Sequence, residues 1–150
     1  MIRRVISKQL GELLLERQMI TRPEFEAALK IQKEKGGLIG QILVILGYVK
    51  EEDIAQAITV QYGFPFLALE NYEINQEALK LIPGNVARQY NLIPVDRIGE
   101  MLTIAMSNPL NIQATEDVEM ITRCQVQIFV STMSSITNAI NRYYGTIPQG

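Results

Sequence analysis

Two glycines and two glutamines are the residues whose type and spacing first suggest chemistry. Gly11 and Gly40 follow Leu10 and Ile39, and Gln32 and Gln61 each close an apolar run. A glycine near a helix start lets another molecule approach the backbone and leaves free amides to face an anionic oxygen. A carboxamide carries both donor and acceptor atoms and can read a polar edge. Covalent catalysis has little to work with, because the chain has no histidine and a single cysteine, Cys124. The usual neutral-pH base is therefore missing. No nucleophile–base pair or metal-ligating set is visible, so no catalytic residue and no metal is expected. Glu116, Asp117 and Glu119 read as a solvated helical face. Cys124 reads as an inert thiol, and Tyr143-Tyr144 as rings packed on a sheet.

The glycines and glutamines recur in register with their surroundings. Gln9, Leu10, Gly11, Leu14, Leu15, Ile20, Phe25, Leu29 and Gln32 correspond to Leu38, Ile39, Gly40, Leu43, Val44, Val49, Ile54, Ile58 and Gln61, each pair 29 positions apart. Helical periodicity does not decide where a glycine or glutamine falls, so the pattern is a tandem duplication. It predicts two similar half-sites or two similar packing units. In the first case the apolar residues wall a ligand; in the second they form a core, the glycines allow close helix contact and the glutamines face solvent.

Each unit predicts two short helices, four in all over about residues 6–62. Residues 18–21 read as a turn, after which Thr21-Arg22-Pro23-Glu24 opens a helix with an N-cap, a proline in the first turn and a capping-box glutamate. Gly36-Gly37 stops it, Gly47-Tyr48 is the second turn, and Glu51-Glu52-Asp53 places negative charge at the next helix start. Beyond Gly63 the composition changes. Helices are predicted over about 75–81 and up to 91, strands over 92–97 and 101–106 joined as a hairpin, a helix over 111–123, a strand over 126–130 and an amphipathic helix over 134–144. The expected class is α+β: a four-short-helix tandem repeat, then a small α/β sandwich with a three-stranded mixed sheet. The expected division is a helical part over 1–63, a linker over 64–74, an α/β part over 75–145 and a tail over 146–150.

The 150 residues are 47% hydrophobic with a net charge of −2. A core can form, and no basic footprint for a nucleic-acid polymer exists apart from Arg3, Arg4 and Lys8 at the start. Lys8, Glu12 and Glu16 interrupt the N-terminal apolar run, so it does not read as a signal peptide. No apolar stretch is long enough to span a bilayer, and no direct membrane insertion is expected.

The duplicated unit with its five-residue spacer at 33–37 resembles the N-terminal domain of type II secretion and type IV pilus assembly ATPases. Leu79-Lys80-Leu81-Ile82-Pro83, then Ala87-Arg88-Gln89-Tyr90-Asn91-Leu92-Ile93-Pro94-Val95, Leu102-Thr103-Ile104-Ala105-Met106-Ser107-Asn108-Pro109 and Ile136-Thr137-Asn138-Ala139-Ile140 follow that family's order. The resemblance spans about residues 9–145. It implies a regulatory and docking module ahead of an ATPase core in the same polypeptide. Some members bind cyclic di-GMP, and others dock on the cytoplasmic part of an inner-membrane platform protein. The implied location is cytoplasmic and peripheral to the inner membrane.

Cyclic di-GMP is pseudo-two-fold, like the repeat. The implied ligand residues are Gln9, Leu10, Gly11, Leu14, Phe25, Leu29 and Gln32 in the first unit. Leu38, Ile39, Gly40, Leu43, Ile54, Ile58 and Gln61 follow in the second, with Asn108 beyond them. The family pattern has arginine where this chain has Gln9 and Leu38, glycine at Gln18 and an acidic residue at Asn108. Arg3, Arg4 and Lys8 are the nearby cations that can compensate. No G-x-x-x-x-G-K-[ST] sequence occurs, and residues 145–150 lack the lysine, so ATP hydrolysis by a phosphate-binding loop is not expected of this chain.

Overall fold

The computed structural model describes residues 9–145. Arg3, Arg4, Lys8 and the 146–150 tail lie outside them. The first unit forms α1 (Leu10–Glu16) and α2 (Arg22–Lys35), and the second forms α3 (Ile39–Ile45) and α4 (Glu51–Tyr62). The capping box at α2 is present: Glu24 N–H donates to Thr21 Oγ1 at 3.3 Å, and Thr21 N–H to Glu24 Oε1 at 2.8 Å. Gly36 ends α2 with φ 75°, and Gly63 ends α4 in the left-handed region.

The inter-helix turns of the two units close with the same bonds. Gln18 N–H donates to Leu15 O at 3.0 Å and Met19 N–H to Leu14 O at 2.9 Å; Gly47 donates to Val44 at 2.9 Å and Tyr48 to Leu43 at 3.1 Å. This is the paired-bond helix stop that calls for a left-handed residue. Gly47 supplies it at φ 80°, but Gln18 is forced to φ 60°. An L side chain there costs roughly 1–2 kcal/mol, of which the greater freedom of an unfolded glycine takes back about 0.4–1 kcal/mol. Gln18→Gly is expected to stabilise the chain by about 0.5–1 kcal/mol. A rise in thermal midpoint of about 2 °C checks it; an unchanged or lower midpoint contradicts it.

After a 3-10 turn at Leu69–Asn71, the chain forms α5 (Gln76–Leu79), α6 (Gly84–Tyr90), β1 (Leu92–Ile98), β2 (Met101–Met106), α7 (Ile112–Thr122), β3 (Gln125–Val130) and α8 (Met133–Tyr144). The sheet order is β1-β2-β3, with β1 antiparallel and β3 parallel to β2, so it is mixed. Antiparallel β1–β2 needs only the turn at Gly99, whereas parallel β2–β3 needs α7 as a crossover. Pro94 is tolerated because β1 is an edge strand, and the register shifts between Pro94 and Asp96. Within the 64–74 stretch, expected as a linker, Pro65–Leu67 pair with the end of β3. Val130 N–H donates to Pro65 O at 2.8 Å, Leu67 N–H to Val130 O at 2.9 Å, and Ser131 Oγ to Leu67 O at 2.7 Å.

One buried apolar cluster joins the sheet to α5–α8. Tyr144 packs against it and donates to Ile82 O at 2.8 Å, and burial pushes its phenol up to about 12. The second cluster fills the space among α1–α4 but also takes in Leu110, Val130 and Met133. The helical repeat thus packs on the end of the sheet where β2 and β3 finish. Glu51, in the first turn of α4, reinforces this contact by accepting from the Ser134 N–H at 3.2 Å and from the Ser134 hydroxyl at the start of α8.

Candidate functional site

An open cavity of about 420 Å³ lies at this junction. Its size suits a small organic ligand. From the repeat it is lined by Gln9 and Leu10 at the start of α1, Gln32 on α2, Leu38, Ile39, Gly40 and Gln41 at the start of α3, and Ile54 on α4. From the second half come Tyr90 at the end of α6, Ser107, Asn108 and Leu110 after β2, Asn111, Ile112 and Gln113 at the start of α7, and Met133 at the start of α8. The paired starts of the repeat therefore meet at one cavity.

Eight of the fifteen implied ligand residues line it: Gln9, Leu10, Gln32, Leu38, Ile39, Gly40, Ile54 and Asn108. Gly11, Leu14, Phe25, Leu29, Leu43, Ile58 and Gln61 are not among its lining residues. Leu14, Leu43 and Ile58 are 0% exposed within the helical core. Leu29, the repeat partner of Ile58, is 40% exposed, and Gln61 is exposed in the last turn of α4. The two glutamines therefore do not converge on this cavity: Gln32 lines it and donates from Nε2 to Gly37 O at 3.1 Å, while Gln61 lies elsewhere.

The glycines differ for a packing reason. A Cβ at Gly11 would sit 2.2 Å from Phe25 Cε1, whereas one at Gly40 would stand 3.9 Å from Ile54 Cδ1, the equivalent neighbour in the second unit. The Phe25 ring occupies the space that Ile54 leaves. Gly11 is thus closed by its own repeat, while Gly40 remains on the cavity wall, with Leu10 Cδ2 3.0 Å from the same position.

Among the described lining residues none is charged. What favours an anion is the set of helix starts. α7 and α8 are capped, with Asn111 Oδ1 accepting from Ala114 N–H at 3.3 Å and Thr132 Oγ1 from Ser135 N–H at 3.4 Å. Neither Gln9 nor Leu38 caps its helix with a side chain. Backbone N–H groups in the first turns of α1 and α3 are thus left without that partner, at the positive ends of the helix dipoles. Asn108 Oδ1 accepts from Leu110 N–H at 3.1 Å, which turns its NH2 away from that loop.

Sequence reasoning missed Gln41, Tyr90, Ser107, Leu110, Ile112, Gln113 and Met133, which reach the cavity only through tertiary packing. Asn111 was read only as the first residue of a helix, with nothing that pointed to a ligand. Asp117 is also more than part of a solvated face: it accepts from the Tyr90 hydroxyl and, through Oδ1, from Gln113 Nε2 at 2.7 Å. That hydrogen bond, with burial and the carboxylate's charge, raises the Tyr90 phenol above its ordinary value. Among the described residues no group of His, Cys, Asp and Glu could hold a metal ion, and no helix is long and apolar enough to cross a membrane.

The MshEN domain pattern matches residues 62–150. The type IV pilus assembly ATPase PilB of Myxococcus xanthus (strain DK1622) is 34% identical over 139 residues, covering 93% of this chain and 25% of PilB. The type II secretion system protein E of Xanthomonas campestris pv. campestris is 27% identical over 149 residues, covering 97% of this chain and 26% of that protein. The chain spans about a quarter of the length of these two relatives. A solved structure of MshE with cdg superposes with a TM-score of 0.66 at 28% identity, covering 91% of this chain and 99% of that one.

Proposed function

Because the chain belongs to the MshEN domain family, that of the N-terminal domains of type IV pilus and type II secretion ATPases, we propose that it is a regulatory and docking module that binds cyclic di-GMP. The site is the cavity between the repeat and the sheet. The observation that carries this reading is the meeting of both repeat starts, Gln9-Leu10 and Leu38-Ile39-Gly40, at one opening. Two uncapped helix N-termini there suit phosphate oxygens, Leu10, Leu38, Ile39 and Ile54 suit purine faces, and Gln32 suits a base edge. The similarity to MshE with cdg lends support. The motor is an ATPase core in the same polypeptide, and occupancy of the cavity alters how the module sits against it. The module works in the cytoplasm, at the inner membrane through a platform protein.

A second reading keeps the docking and drops the nucleotide. It draws on the lack of charge among the described lining residues, since cyclic di-GMP carries two negative charges and the family's arginines are Gln9 and Leu38 here. Calorimetric titration separates the two. Saturable heat with cyclic di-GMP is expected, weakened at least about tenfold in Gly40→Val. A β-branched side chain there fills the wall, while Leu10 Cδ2, the end of a flexible chain, can give way. Absence of heat and of any thermal shift leaves only the docking reading; unaltered affinity in a folded Gly40→Val variant removes this cavity as the site.

A further inference from the structure

Tyr90 and Gln113 come from different elements yet are tied to the two oxygens of one carboxylate. The Tyr90 hydroxyl donates to Asp117 Oδ2, and Gln113 Nε2 donates to Asp117 Oδ1 at 2.7 Å. Tyr90 and Gln113 line the cavity, and Asp117 does not. A carboxylate only accepts hydrogen bonds, so it dictates how both partners are oriented. The Gln113 amide turns its NH2 towards Asp117, which occupies one of its two N–H donors and fixes Oε1 on the other side of the amide as its acceptor. The Tyr90 proton is likewise spent on Asp117, and its oxygen can only accept from elsewhere. Asp117 therefore fixes one acceptor on each of two cavity-lining residues, the Tyr90 hydroxyl oxygen and Gln113 Oε1.

From this we infer that the Tyr90–Asp117–Gln113 unit sets base specificity, favouring guanine over adenine. The inference rests on the reading of the cavity as a cyclic dinucleotide site and adds the residues that choose the base. The guanine edge carries two adjacent donors, N1–H and the N2 amino group, which can meet two acceptors. Adenine presents one donor, its N6 amino group, beside the bare acceptor N1, and that acceptor would face another. A site built to pair with a donor rejects an analogue lacking it, because a wall acceptor is left without a partner. Tyr90 and Gln113 are the specificity residues in this scheme; Asp117 acts through them and is a positioning residue.

The test compares the 150-residue chain and its variants by calorimetry with cyclic di-GMP and cyclic di-AMP. The unaltered chain is expected to prefer the guanine ligand by about tenfold or more. In Asp117→Asn the new side chain can donate as well as accept, so the Gln113 amide is free to turn over. The preference is expected to fall to within about threefold. Gln113→Leu, at an exposed position in the first turn of α7, and Tyr90→Phe, which keeps the ring, should weaken the guanine ligand and leave the adenine ligand unaffected. A merely structural role would weaken both alike. If neither dinucleotide binds the unaltered chain, the cavity reading fails and this inference with it. If cyclic di-GMP binds but is not preferred, or if the preference survives in Gln113→Leu and Asp117→Asn, the specificity assignment alone is wrong. Should Asp117→Asn not fold, Gln113→Leu gives the same ratio test.

Discussion

Leu14→Ala and Leu43→Ala are each expected to destabilise the fold by about 2–5 kcal/mol, the range for a large aliphatic side chain removed from a closed core. Both side chains are 0% exposed and occupy equivalent places in the two units. The same reasoning extends to Ile58→Ala but not to its repeat partner. Leu29 is 40% exposed on α2, so Leu29→Ala removes fewer contacts and is expected to cost about 1 kcal/mol or less. Urea unfolding measures this directly, with the midpoint falling while the slope is unchanged. Identical losses at Leu29 and Ile58 would show that the two units pack alike, against the asymmetry described. A folded Leu43→Ala variant of normal stability but weaker ligand binding would return that residue to the cavity wall.

Gly11→Ala is expected to cost about 1–3 kcal/mol by overpacking, although alanine is the better helix former. The added Cβ would meet the Phe25 ring at 2.2 and 2.4 Å, distances at which the ring must move. The second unit shows how such a position can relax, because the residue equivalent to Phe25 there is Ile54, 3.9 Å from the corresponding point. Phe25→Ile is therefore expected to rescue Gly11→Ala. A double-mutant cycle should show a coupling of about 1 kcal/mol or more between the two positions. Additive losses would mean that Phe25 is not what closes Gly11. Gly40→Ala provides the contrast: its tightest neighbour is the end of the Leu10 side chain at 3.0 Å, and a cost below about 1 kcal/mol is expected.

These two predictions mark where the sequence was informative and where it was silent. The duplication at Gln9-Leu10-Gly11 and Leu38-Ile39-Gly40 identified the helix starts that open on the cavity, but could not say that Gly11 itself would be covered. The covering depends on the size of the residue 14 positions later, phenylalanine in one unit and isoleucine in the other. Leu14, Leu43 and Ile58 could equally have walled a ligand or filled a core, since both uses require the same apolar stripe. Asp117 looked like one of three solvated acids because one partner, Tyr90, reaches it from the end of α6 only in the folded chain, while the other, Gln113, lies one turn earlier on α7 itself.

By itself the sequence determined the order and type of the elements, the tandem repeat, the capping box at Thr21 and Glu24, the glycine stops and the mixed α+β class. Each depends on hydrogen bonds, backbone angles or apolar periodicity among residues a few positions apart, so the information is local. The tertiary structure alone decided which copy of each repeated residue faces the cavity, which is buried and which is solvent-exposed. It also decided that a wall from α6 and α7 completes the opening. Those outcomes turn on side-chain volumes meeting between elements distant in the chain, and close packing lets one ring or one methyl group decide them.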